Sequence, residues 1–199
     1  MWLILAFCSA ALLGFYDVCK KHALSGNAVL PVLFLNTAIC SLLFLPFIIL
    51  SSYTGLLDSS SFYVESCGWE QHRYILLKAC IVLSSWIFGY FAMKHLPITI
   101  VGPINATRPV MVLVGAMLVF GERLNVWQWA GVTLAIISFF LLKRSGKKEG
   151  VDFRHNKWIF SLILAAVLGA VSGLYDKYLM APPENGGVGL SRMVVQSWY

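Results

Sequence analysis

Five long stretches of this chain contain no Asp, Glu, Lys or Arg, and they restrict its fold more than any other feature. They are residues 1–16, 23–57, 79–93, 124–142 and 158–175. A helix needs about 20 mostly apolar residues to cross a bilayer. Only 12% of the residues are charged and the mean hydropathy is +0.77, which excludes a soluble globule and a disordered chain. The sequence therefore predicts an all-α, polytopic membrane protein.

The apolar pattern divides into six membrane spans and the opening of a seventh. Gly, Pro and polar residues separate the segments. The predicted spans are residues 2–23, 29–50, 74–93, 98–120, 126–142 and 158–180, with 188–199 opening the seventh. The longest polar loop is predicted at residues 51–73. Because the chain stops inside an apolar stretch, we expect a truncated piece of a longer protein.

Basic residues are unevenly distributed between the two sides of this topology. The loops after the first, third and fifth spans carry nine Lys and Arg residues, against four on the other side. The nine are Lys20, Lys21, Lys94, Lys143, Arg144, Lys147, Lys148, Arg154 and Lys157. Cytoplasmic loops are enriched in basic residues, so we expect these loops inside and the N-terminus outside. This charge surplus follows membrane topology and does not indicate a nucleic-acid partner.

An internal repeat links the first and sixth spans. Residues 14–17 and 173–176 share the pattern Gly-x-Tyr-Asp at an offset of 159, and Trp2 and Trp158 begin the two spans. Both copies fall at the same place in a span. An odd number of spans separates them, so the second copy enters the membrane in the opposite direction. Inverted repeats of this kind are typical of secondary transporters, whose substrate sites lie between the halves.

Charged residues inside apolar spans are the main functional signal, because each is costly in a bilayer. Arg108 lies ten residues past Ile98, about 15 Å along a helix. We expect it to bind an anionic or zwitterionic substrate or to pair with Asp17, the alternative being a structural ion pair. Asp17 is a candidate for a coupling proton, or it clusters with Lys20 and Lys21 at the membrane interface. Asp176 is its equivalent in the second copy.

The fourth span also contains an unusual polar run, residues 102–109. Pro103 and Pro109 each remove a backbone donor and favour a kink, and Asn105 adds a polar group at the same depth. Irregular backbone is tolerated in a membrane where it lines a cavity. We therefore expect Asn105 and Arg108 to line a substrate pathway. The alternative is a proline-kinked helix that only packs.

Aromatic residues with polar tips complete the candidate pathway. They are Tyr16, Trp86, Tyr90 and Tyr175, and plain packing or an interfacial aromatic belt is the alternative for each. Gln196 is a further polar candidate, at the start of the seventh span. The motifs Gly169-x-x-x-Gly173 and Ala10-x-x-x-Gly14 predict close helix approach.

Signatures of an enzyme are missing from the sequence. It contains no H-E-x-x-H, G-x-S-x-G or phosphate-binding Gly-Lys-Ser motif, and the spacing of its five cysteines and four histidines suggests no metal site. We therefore expect no enzymatic activity, no metal and no cofactor. A membrane scaffold or assembly partner is the alternative function, and a channel is a further alternative.

Several motifs resemble those of EamA-type transporters in the drug/metabolite transporter superfamily. They are Leu96-Pro97-Ile98-Thr99, Gly121-Glu122-Arg123-Leu124, Gln128-Trp129-Ala130-Gly131 and the basic end Leu142-Lys143-Arg144. The region from Gly14 to Lys20 resembles the first helix of that family. Two departures stand out: the loop after the second span is acidic where many relatives have a basic one, and Arg108 matches no general family motif.

The resemblance implies ten helices in two inverted five-helix repeats, which export or exchange small metabolites without ATP. On that pattern residues 1–142 form the first repeat, 143–157 a basic linker and 158–199 the incomplete second repeat. The implied partners are a small-molecule metabolite and the lipid bilayer of the cell (inner) membrane. A coupling proton and a homodimer are further expectations. Gly121 is expected to end the fourth helix, with Glu122 and Arg123 at the headgroups.

Overall fold

The computed structural model describes residues 2–58, 60–121, 123–146 and 155–199. Within these residues it contains eight α-helices and no β-strand. The helices are α1 (Trp2–Leu24), α2 (Val29–Tyr53), α3 (Trp69–His95), α4 (Ile98–Asn105), α5 (Arg108–Phe120), α6 (Val126–Gly146), α7 (Lys157–Met180) and α8 (Arg192–Trp198).

Four segments of the described residues are long and apolar enough to cross a membrane. They are Val29–Tyr53, Trp69–His95, Ile98–Phe120 and Lys157–Met180. Helices α1 and α6 lie at the predicted first and fifth spans, and Val126–Ser138 is a shorter apolar stretch. The prediction of an all-α, polytopic membrane protein is confirmed.

Helices α3 and α7 form the tightly packed centre of the fold. Two serine side chains form hydrogen bonds between these helices. Ser85 Oγ donates to the Ala165 carbonyl at 2.8 Å, and Ser161 Oγ donates to the Phe88 carbonyl at 3.0 Å. The His95 and Trp158 rings stack with centroids 3.6 Å apart at one end of this pair. Residues later in α3 contact residues earlier in α7, so the two helices are antiparallel.

Helix α1 runs in the same direction as α3. Its residues Tyr16 and Lys21 meet the C-terminal part of α3, where Lys21 Nζ donates to the carbonyls of Met93 at 2.6 Å and Leu96 at 2.8 Å. Lys21 thereby satisfies carbonyls that the end of α3 leaves without helical partners. Since α7 is antiparallel to α3, helices α1 and α7 run in opposite directions, as an inverted repeat requires.

Buried apolar residues form one cluster near each membrane surface. The α1–α2 cluster lies where α1 ends and α2 begins, and it includes Leu24, Val29, Leu33, Leu96, Ile100 and Leu162. The α2–α3 cluster lies where α2 ends and α3 begins, and it contains Val64, Ile75, Leu179, Leu190, Val194 and Val195. We call the two membrane surfaces the α1–α2 side and the α2–α3 side. Among the candidate residues, Tyr90 belongs to the α1–α2 cluster, Trp86 packs against that cluster and Tyr175 packs against the α2–α3 cluster.

Several predicted boundaries differ from the structure. Helix α2 extends to Tyr53 and α3 begins at Trp69, which shortens the predicted 51–73 loop. The Gln71 side chain supports this earlier start of α3, because its Oε1 accepts from the Gly68 N–H at 3.0 Å. Within the shortened loop, burial and the charge of Glu65 raise the pKa of the Cys67 thiol, so this thiol is protonated at neutral pH.

The seventh span begins later than predicted. Residues 188–190 are not helical, and the Leu190 N–H donates back to the Leu179 carbonyl at 2.8 Å. Gly189 has a φ of +76°, a left-handed conformation that favours glycine. Ser191 then caps α8, with its Oγ accepting from the Val194 N–H at 3.4 Å. The helix therefore starts at Arg192.

Two further predictions concern the ends of the fourth and fifth spans. Gly121 does end the fourth, with a φ of +65°. Glu122 and most of the basic linker, residues 147–154, lie outside the described residues.

Candidate functional site

The fourth span is broken in the middle of the membrane. Helix α4 ends at Asn105 and α5 begins at Arg108, with Ala106 and Thr107 between them. Pro109 explains the position of the break, because it cannot donate to the Asn105 carbonyl and its ring clashes with that group. At the break, the Thr107 hydroxyl and the Thr107 N–H both donate to the Ile104 carbonyl, at 2.7 Å and 3.1 Å. Pro103, in contrast, is accommodated inside α4.

Two buried polar atoms at this break lack hydrogen-bond partners, namely Arg108 Nε and Asn105 Oδ1. Among the described residues, Arg108 also forms no ion pair. Its guanidinium lies against α7, where a Cβ placed on Gly169 would be 3.1 Å from both Arg108 Nε and Arg108 Cζ. Glycine at position 169 therefore provides the space that the guanidinium occupies. A donor and an acceptor are thus left unsatisfied in a region where unpaired polar groups are costly.

Tyr16, Asp17 and Tyr90 form a second group next to the break. The hydroxyls of Tyr16 and Tyr90 are 3.1 Å apart, and Tyr90 is only 3% exposed. Lys20 Nζ lies 3.0 Å from Asp17 Oδ1 and also lies over the Tyr16 and Tyr90 rings. Asp17 exerts an electrostatic effect on Arg108, but the expected Arg108–Asp17 ion pair is not formed. The carboxylate instead pairs with Lys20, one turn along its own helix.

Trp86 lines a cavity of about 520 Å³ between α2, α3 and the α8 segment. Its wall is largely apolar and includes Cys40, Phe44 and Leu83, while Thr37, Ser41 and Gln196 supply polar groups. Ser197, which also lines this cavity, has a buried hydroxyl without a hydrogen-bond partner. A largely apolar wall with a few polar groups is typical of small-molecule sites.

Tyr175 and Asp176 lie away from the other candidates, toward the α2–α3 side. The Tyr175 hydroxyl donates to the Tyr74 carbonyl at 3.3 Å. Asp176 Oδ2 lies 2.6 Å from Lys78 Nζ of α3, and Lys78 Nζ also donates to Ser172 Oγ at 2.5 Å and to the Ser172 carbonyl at 3.1 Å. The structure therefore divides the candidates between two sites.

Sequence reasoning missed Lys78 as a functional candidate. It lies near the start of the predicted third span, yet its side chain is 2% exposed. The available signal was that Lys78 and Asp176 carry opposite charges, each inside a predicted apolar span. Such charges normally pair with one another. The sequence could not show that α3 and α7 are neighbours.

An all-helical polytopic fold with an interrupted span and unsatisfied polar atoms inside the membrane is typical of transport proteins. A sequence model of the EamA-like transporter family matches residues 1–144. The chain therefore belongs to the EamA-like transporter family, whose members are membrane transporters and not enzymes. Comparisons with curated proteins and with solved structures gave no match.

Proposed function

We propose that this protein is a secondary transporter that moves small polar or amphipathic metabolites by alternating access, without ATP, in export or exchange. The proposed location is the cell (inner) membrane. The observation that carries the proposal is the pair of buried, unsatisfied atoms Arg108 Nε and Asn105 Oδ1 at the break in the fourth span. Unsatisfied polar groups in a membrane are costly, and a bound polar substrate would satisfy them.

The chemistry of the two atoms favours an anionic or zwitterionic substrate. A guanidinium donates two parallel hydrogen bonds to a carboxylate or phosphate. The Asn105 oxygen would accept a hydrogen bond from an ammonium, amide or hydroxyl group on the same molecule. A molecule with both kinds of group would satisfy the two residues together.

The remaining candidates line the proposed pathway on either side of the break. Tyr16, Asp17 and Tyr90 would form its wall near the α1–α2 side, and Trp86 would contribute from the neighbouring cavity. Tyr175 and Asp176 would be their repeat-related counterparts near the α2–α3 side. This arrangement follows the proposed division into a first repeat at 1–142, a linker at 143–157 and the start of an inverted repeat at 158–199.

The test is counterflow in proteoliposomes with a pooled panel of labelled amino acids, organic acids and other small metabolites. We expect saturable exchange in the parent protein and at least a tenfold loss in Arg108→Ala. Arg73→Ala is the matched control, because it removes an arginine that is 58% exposed, forms an ion pair with the exposed Glu70 and lies over the Tyr74 ring. Arg108→Lys should retain part of the exchange, since it keeps the charge but loses the planar fork.

A folded protein that exchanges no member of the panel would contradict the transporter proposal and favour a membrane scaffold. In that case Arg108→Ala would change only stability. Exchange that does not saturate would indicate a channel.

A further inference from the structure

Lys78, Ser172 and Asp176 form a polar group separate from the unsatisfied atoms of Arg108 and Asn105. The Lys78 ammonium is held by three acceptors, namely Asp176 Oδ2 at 2.6 Å, Ser172 Oγ at 2.5 Å and the Ser172 carbonyl at 3.1 Å. Its side chain is 2% exposed, whereas that of Asp176 is 32% exposed. The cation is therefore enclosed by protein, while its carboxylate partner is accessible from one side.

Asp176 lines a second cavity, of about 710 Å³. Lys177 lines it too, together with Phe120 at the end of α5 and with Pro182, Asn185 and Gly187 of the turn that follows α7. This turn lies at the α2–α3 side, so the exposed part of the carboxylate is at that side of the fold.

The ion pair joins a helix of the first proposed repeat to a helix of the second. Lys78 belongs to α3 and Asp176 to α7, 98 residues apart in sequence. The repeat-equivalent carboxylate, Asp17, pairs with Lys20 on its own helix instead. Protonation of Asp17 would leave no contact between helices broken, whereas protonation of Asp176 would remove the charge that holds Lys78 to α7.

Asp176 is the single carboxylate in this group. The other ionisable side chains that surround the pair are Tyr74 on α3, Tyr175, Lys177 and Tyr178 on α7, Tyr199 after α8 and Cys40 on α2. Lys177 lies over the Phe120 ring of α5. None of these side chains is a carboxylate, so Asp176 alone supplies the negative charge that faces Lys78.

We propose that the Asp176–Lys78 pair is the site at which this transporter takes up its coupling proton. A proton that enters through the cavity binds the Asp176 carboxylate and forms a neutral carboxylic acid. Lys78 keeps its proton, so the net charge of the pair rises from zero to +1. A buried cation that has lost its counter-ion is strongly destabilised, and this favours a conformation in which α3 and α7 separate and Lys78 reaches water. The inference rests on the proposed transport function.

The test is a pH titration of the protein in liposomes, followed by infrared difference spectroscopy. We expect acidification to produce the carbonyl bands of protonated carboxylic acids, and we expect Asp176→Asn to remove one component of these bands. Asp17→Asn is the matched control and should retain that component, as should Glu184→Gln in the turn beside the cavity.

The double variant Lys78→Met/Asp176→Asn provides a second measurement if Asp176→Asn alone does not fold, since it leaves no uncompensated buried charge. It too should lack the component assigned to Asp176. Spectra from which Asp176→Asn removes no component, or from which Asp17→Asn removes the same component, would overturn the assignment. These measurements need no substrate, so failure of the proton site is distinct from absence of counterflow, which would instead contradict the transport function.

Discussion

Helices α1 and α7 carry the same Gly-x-Tyr-Asp sequence, at residues 14–17 and 173–176, in two different environments. Helix α1 lies at the periphery, where Phe7 and Phe15 are each 70% exposed and a Cβ on Gly14 would meet nothing within 4 Å. Helix α7 lies between α3 and α5, and a Cβ on Gly173 would come within 3.0 Å of Val112 Cγ2. The same glycine therefore faces open space in one copy and enables helix contact in the other.

The two aspartates differ in the same way. Asp17 pairs with a lysine one turn along its own helix, and Asp176 pairs with a buried lysine of another helix. A repeated motif thus predicts the position of a side chain along its helix, but its contacts depend on the neighbouring helices. The following substitutions compare equivalent positions of the two copies.

The largest expected difference is between Asp176→Ala and Asp17→Ala. The first leaves Lys78 buried without its anion and should lower the free energy of unfolding by about 3–5 kcal/mol. The second removes a partly exposed pair within one helix and should cost less than about 1 kcal/mol. Equilibrium unfolding in detergent micelles measures both, and equal losses would contradict the contrast between the two pairs.

A smaller difference is expected between Gly173→Val and Gly14→Val. The first side chain must displace Val112 between α5 and α7, which should cost about 1–3 kcal/mol in unfolding free energy. The second enters open space and should leave stability unchanged or slightly increased, because glycine is a poor helix former. The same unfolding assay reports both, and a stable Gly173→Val variant would show that the helices can move apart without cost.

The smallest difference is expected between Tyr16→Phe and Tyr175→Phe. Loss of the Tyr16 hydroxyl removes the partner of the buried Tyr90 hydroxyl, at an expected cost of about 1 kcal/mol. Loss of the Tyr175 hydroxyl removes a 3.3 Å bond to a backbone carbonyl within α3, and little change is expected. Thermal unfolding of the two variants compares them, and a greater loss in Tyr175→Phe would reverse the order.

Some features of the candidate sites could be predicted from the sequence, and others could not. Arg108 and Asn105 were identifiable because a charge and an amide beside two prolines are unusual within an apolar span. A kink in this span could be predicted from Pro103 and Pro109, because the effect of a proline on a helix is local. The expected Arg108–Asp17 pair did not form, because Lys20 on the same helix was the nearer partner for Asp17.

The sequence by itself determined the class of fold, the approximate spans and the interruption of the fourth span. These properties depend on local quantities, namely the length of apolar segments, the spacing of charges and the backbone chemistry of proline and glycine. Only the tertiary structure decided that α3 packs against α7, that Lys78 pairs with Asp176 and that Gly169 accommodates Arg108. In a membrane, apolar helices of similar length have no strong hydrophobic preference for particular partners, so these contacts depend on side-chain fit and polar pairing between distant segments.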